Sequence, residues 1–116
     1  MNDPFQVLHY QTADGRIPFQ EWLDTVTDSV GYSAIQVRED RLERGLFGDH
    51  KPVGDGVWEL RIDTGPGYRV YYARAGKLVV ILLCGGSKRT QGADIKTAKA
   101  YWKDYEQRTA TPRRIK

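Results

Sequence analysis

The sequence predicts an α+β fold of order βααβββα, an antiparallel sheet packed with helices, and three observations carry that expectation. Three β-branched or aromatic runs, VWELRID (Val57 to Asp63), YRVYYAR (Tyr68 to Arg74) and KLVVILLC (Lys77 to Cys84), are separated only by TGPG and AG, which is the pattern of an antiparallel meander. Upstream of them, apolar residues recur at helical spacing. Downstream, Ile95, Ala98, Trp102 and Tyr105 are spaced by three, four and three residues, which gathers them on one helical face. With 116 residues, 40% of them hydrophobic, the chain suits one domain with a real core. Its expected extent is residues 1–110, with 111–116 (TPRRIK) a basic flexible tail.

Taken in order, FQVLHY (Phe5 to Tyr10) alternates well enough for a first strand, and TADG is a turn signal. Pro18 suits a first helical turn, where its missing N–H costs nothing, and Phe19, Trp22, Leu23 and Val26 follow at helical spacing. Asp28 or Ser29 caps a second helix by accepting a bond from an otherwise orphan backbone N–H. Its expected buried stripe is Ile35, Leu42 and Leu46, with Arg38, Arg41 and Arg44 mostly on the other side and Gly45 and Gly48 ending it. GDHKPVGDG (Gly48 to Gly56) reads as a polar connection. The three meander strands come next, and Leu78 to Cys84, apolar on both faces, is the expected central strand, covered by helices on one side. A last helix fills Thr90 to Arg108.

Composition narrows the functional classes. A single cysteine, Cys84, forms no internal bridge, the start lacks a basic region followed by a long apolar core, and the longest apolar run is too short to span a bilayer, so a cytoplasmic protein is expected. Net charge is +3, but residues 1–84 carry nine Lys and Arg against twelve Asp and Glu, whereas residues 85–116 carry nine against three. That asymmetry suits a polyanionic partner, and equally a solvated basic helix and tail. His9, His50 and Cys84 show no ligand spacing, so neither a metal nor another cofactor is expected. Cys84 closes an apolar strand and reads as a buried, inert thiol.

Strand alternation singles out one cluster. Along Val57 to Asp63, Trp58, Leu60 and Ile62 must face a core, so Glu59 and Arg61 project from the other face, which is expected to be open. The neighbouring strand adds Arg69 and Tyr71 beside them, within cross-strand contact distance. Alternation alone leaves two readings: ordinary charge pairs that solubilise an antiparallel face, or a phosphate site. In the second, guanidiniums bind phosphate through parallel hydrogen bonds, and Glu59 is the candidate base for attack by an RNA 2′-hydroxyl. Lys88 and Arg89, after GGS, stand where they can reach the same face.

GVWELRIDTGPGYRVYYAR followed by LVVILLCGGSKRTQGADIKTAKAYW resembles the RelE/ParE superfamily of toxins from type II toxin-antitoxin modules, especially its HigB-like addiction module killer protein branch. The resemblance runs from Phe5 to about Arg108 and implies a RelE-like fold. For activity it implies a ribosome-dependent mRNA endoribonuclease (mRNA interferase) that acts by metal-independent 2′-hydroxyl attack and stops translation. The alternatives within it are a non-enzymatic DNA gyrase poison of the ParE kind and a degenerate, non-toxic module that only binds its antitoxin. Carried over by position, Arg61 occupies a basic place on its strand while Glu59 stands where RelE has a lysine; Arg69 falls on the arginine of a GYR segment, and Lys88 and Arg89 on the basic pair of a GKR segment. Where RelE uses a tyrosine in its final helix this chain has Ile95, with Tyr101 and Tyr105 further along. The implied catalytic set is Glu59, Arg61, Arg69 and Lys88, and the implied RNA-binding set is Tyr71, as a stacking platform, with Arg89, Lys96 and Lys99. The implied partners are a cognate antitoxin, often of helix-turn-helix type, together with mRNA and the ribosome; DNA is reached only through the antitoxin complex.

Overall fold

A computed structural model describes residues 4–110, and the expected tail at 111–116 lies outside them. Five strands form one mixed sheet. They are β1 (Gln6–His9), β2 (His50–Gly54), β3 (Val57–Ile62), β4 (Tyr68–Arg74) and β5 (Val79–Ser87), laid out in the order β1-β5-β4-β3-β2. The helices are α1 (Pro18–Leu23), α2 (Ser29–Glu43) and α3 (Gln91–Thr109), with a 3-10 turn at Lys88–Thr90 leading into α3. The meander β3-β4-β5 is antiparallel as its short turns require, and β1 adds to β5 in parallel, with Gln6 opposite Val79.

The caps follow from local chemistry. Asp28 accepts a hydrogen bond from the Val30 N–H at 3.1 Å at the start of α2, and Pro18 opens α1. Gly45, at φ 78°, lets the chain leave α2 in the left-handed region. Leu46 lies past the end of that helix and is exposed, so it is not part of the buried stripe; Ile35 and Leu42 are.

The segment expected to be a polar connection contains β2. Its five residues pair with β3 at the sheet edge, where Pro52 stands in a non-hydrogen-bonded pair with Trp58 and so costs the ladder no bond, and Asp55-Gly56, both at positive φ, turns the chain into β3. The second difference is larger. Alternation correctly separates Leu60, Ile62, Val70 and Tyr72, which pack under α1 and α2, from Glu59, Arg69 and Tyr71, but the second set does not face solvent. α3 covers that side with a second core of Tyr10, Val57, Tyr71, Ala73, Ile81, Leu83, Cys84, Ala98 and Trp102. β5 lies inside the sheet between β1 and β4, as expected of Leu78 to Cys84, but it is covered on both faces rather than one.

Close approach explains GGS. A Cβ on Gly85 would fall inside the Trp22 ring of α1, and one on Gly86 inside the Asp94 carboxylate of α3, so β5 carries no side chain on either face just where both helices press in. Among the described residues no helix is long and apolar enough to cross a membrane.

Candidate functional site

The β3/β4 register sets Glu59 opposite Tyr71 and Arg61 opposite Arg69, so the four side chains meet on the α3 face as alternation requires. Their exposure is the correction. Glu59 is 0% and Arg69 2% exposed, beneath the first turn of α3, and only Arg61, with 38% of its side chain accessible, reaches solvent. Tyr71 is wholly buried as well, so its ring has no free face on which a base could stack.

α3 supplies what the sequence reading missed. Gln91, the first residue of α3, donates from Nε2 to Glu59 Oε2 at 2.7 Å, and the Tyr71 hydroxyl donates to the same oxygen at 3.2 Å. Burial, then the neighbouring Glu59 carboxylate, holds the Tyr71 hydroxyl far above its ordinary pKa, so it remains a proton donor in that bond. Glu59 Oε1 is left without a partner and lies 4.0 Å from Arg61 Nε, beyond hydrogen-bond length. Arg61 Nε and Arg69 Nε are likewise buried and unpartnered. Arg69 is steadied at its other end, where Nη1 donates to the Tyr68 carbonyl at 3.0 Å and stands 3.8 Å from the exposed Asp63 carboxylate.

Two further residues shape the surroundings. Arg38 of α2, expected on a solvent side, donates to the carbonyls of Arg61 (2.6 Å), Phe47 (2.9 Å) and Asp49 (3.0 Å), which fixes the Arg61 backbone from the opposite face of the sheet. Gly67, at φ 85°, brings the turn before β4 against the 3-10 turn: its carbonyl accepts from Lys88 N at 3.0 Å. A Cβ on Gly67 would make only ordinary contact with Lys88 Cβ at 3.4 Å and Arg69 Nη1 at 3.7 Å, so it is the left-handed backbone of this turn, not lack of space, that favours glycine beside Lys88 and Arg69.

The remaining candidates divide by position. Lys88 and Arg89 are exposed on the 3-10 turn at the edge of the cluster. Lys96 and Lys99 are not brought to it; they line a cleft of about 390 Å³ along the flank of α3, and Lys99 pairs with Asp55 at 3.7 Å. Tyr101 stacks on Tyr10 and Tyr105 on Trp102, so both serve packing at the far end of α3. Cys84 is buried, and desolvation, then Asp94, pushes its thiol up to about 12, which agrees with an inert residue. No group of His, Cys, Asp and Glu suited to a metal ion occurs among the described residues.

Chemically, the cluster is an enclosed array of two guanidiniums and one carboxylate whose charges are only partly matched within the protein. Side chains of this kind gain most from a guest that offers acceptors to Arg and a donor to Glu.

A protein of Haemophilus influenzae, described as uncharacterized, is 49% identical over 83 residues, covering 72% of this chain and 84% of that protein. Residues 19–109 match the family described as phage derived protein Gp49-like (DUF891), a span that holds all but the first residue of α1, together with α2, the meander, the whole charged cluster and α3. The chain therefore belongs to the Gp49-like family of phage-derived proteins.

Proposed function

We propose that this protein is the toxin of a type II toxin-antitoxin module and that it acts as a ribosome-dependent mRNA endoribonuclease. The family is toxin-like, of the addiction-module killer kind, which supports the first half of the reading. The observation that carries the second half is the set of three buried, unpartnered polar atoms, Glu59 Oε1, Arg61 Nε and Arg69 Nε, on facing positions of two paired strands. A ribonucleotide provides their complement: a phosphodiester accepts from the guanidiniums, and the adjoining 2′-hydroxyl donates to the carboxylate.

In the proposed reaction the 2′-oxygen attacks phosphorus while its proton passes to Glu59 Oε1. The bond from phosphorus to the 5′-oxygen breaks, that oxygen takes a proton from the Lys88 ammonium, and a 2′,3′-cyclic phosphate remains. Arg61 and Arg69 hold the charge that builds on the phosphoryl oxygens, and a single preorganised donor of this type contributes about 3 kcal/mol to such a transition state. Glu59 lies behind Arg61, so entry requires the half-exposed Arg61 side chain to swing aside. Arg89 contributes long-range attraction for the strand. The reading extends to the partners: a cognate helix-turn-helix antitoxin covers the basic rim, the ribosome presents the mRNA, and DNA is met only through the antitoxin.

A reconstituted translation reaction with a defined mRNA tests this. The expected result is cleavage when ribosomes are present and none when they are absent, with a 2′-deoxy substitution at the cleaved nucleotide blocking it. Intact mRNA in a reaction that still stalls, or trapping of cleaved plasmid by gyrase, would overturn the endonuclease reading.

A further inference from the structure

The three unpartnered atoms say more than that an anion is welcome. Two of them are donors, but the third is a carboxylate oxygen, and an anion placed between Arg61 and Arg69 would be repelled by it. Glu59 cannot turn that oxygen away, because Gln91 and Tyr71 both hold Oε2. The gap of 4.0 Å between Arg61 Nε and Glu59 Oε1 is too long for a direct hydrogen bond, yet one hydroxyl oxygen spans it, accepting from the first and donating to the second at ordinary lengths.

We propose that Glu59, Arg61 and Arg69 form a proton-selective oxyanion site that admits inorganic phosphate or a protonated phosphate monoester at an RNA end and rejects sulfate. The inference rests on the phosphate-binding reading of this face but requires no cleavage. Phosphate and sulfate match in shape and differ in that phosphate keeps a hydroxyl at neutral pH. With phosphate the one hydroxyl partners both Glu59 Oε1 and Arg61 Nε. With sulfate the buried Oε1 stays unpaired and faces a like charge, which a buried site punishes heavily. Arg61 acts as the door, since it alone of the three is accessible, and Lys88 beside Arg69 adds attraction for any anion without telling the two apart.

The two sources of phosphate separate by pH. Inorganic phosphate retains a proton throughout the neutral range, whereas a monoester loses its last one with a pKa of about 6. Calorimetric titration of the purified protein with sodium phosphate, sodium sulfate and cytidine 3′-monophosphate, at matched ionic strength and at about pH 5 and about pH 8, reads the difference. Phosphate should bind about tenfold or more tightly than sulfate at the higher pH, the scale of one charge-assisted hydrogen bond. The monoester should bind at the lower pH and weaken about tenfold at the higher. Glu59→Gln, which can offer a donor in place of the carboxylate, should erase the preference for phosphate over sulfate. Equal affinities for the two anions, or a preference that survives Glu59→Gln in a folded variant, would overturn the site. If Glu59→Gln does not fold, the comparison of the three anions on the native protein decides alone. Selective binding by a protein that leaves ribosome-bound mRNA intact would sustain this inference while removing the endonuclease.

Discussion

Arg69 shows how burial changes what a side chain can be asked to do. Its guanidinium is nearly inaccessible and carries an unpartnered Nε, so it stays in place at the expense of stability rather than in support of it. Arg69→Met keeps the length of the stem and removes the charge. This variant should be at least as stable as the native protein, by roughly 1 kcal/mol in urea unfolding, while its expression without antitoxin no longer arrests growth. A variant that is less stable yet still toxic would show the residue to be structural. Cys84 gives the opposite kind of test: with its thiol pushed up to about 12 and no accessible surface to speak of, it should react with a thiol reagent at pH 8 only in denaturant. The residue types of the cluster were legible, because alternation placed Glu59, Arg61, Arg69 and Tyr71 on one face. Their burial was not, since nothing in a strand's own pattern says whether a helix from further along the chain will cover its polar side. Gln91 had no signal at all; a glutamine at a helix start reads as an ordinary surface residue until its partner is known.

At the scale of elements, α3 is tied down at both ends by different chemistry. Its start meets Glu59 through Gln91, and its end meets Tyr10, just past β1, through Asp104, which accepts from the Tyr10 hydroxyl at 2.5 Å and from Arg108 of the same helix at 2.8 Å. The Tyr10 bond first, and then Arg108, hold the Asp104 carboxyl below its usual range. A carboxyl lowered on folding contributes stability above its unfolded pKa of about 3.9, and that contribution disappears as pH falls through the lower folded value. Asp104→Asn should therefore melt at a lower temperature than the native protein at pH 7 and at the same temperature at about pH 2, where the native carboxyl is protonated too. A constant difference across that range would mean that the charge is irrelevant. The meander, the caps and α3 were all readable from spacing and turn residues. β2 was hidden by its composition: a five-residue edge strand containing Pro52 and Gly54 carries little β-propensity of its own and exists because β3 offers a ladder. Asp55-Gly56 was the one available clue, a hairpin dipeptide that the reading absorbed into a loop.

For the molecule as a whole, the sheet is sandwiched, with α1 and α2 on one side and α3 on the other, and Gly85 and Gly86 mark where the two layers come closest to β5. Gly85→Ala should cost about 1–3 kcal/mol by driving a methyl group into Trp22, lowering the melting temperature by roughly 4 °C or more. An unchanged melt would show that α1 can shift without loss. The parallel pairing of β1 with β5 has a consequence for synthesis. Gln6 leaves the ribosome early but must wait for Val79, so the strand made first is among the last to find its place. Gln91–Thr109 is made later still, so the cover over Glu59 and Arg69 comes from a segment synthesised after all five strands of the sheet. The charged face is thus the one surface of the sheet that no earlier part of the described chain can close.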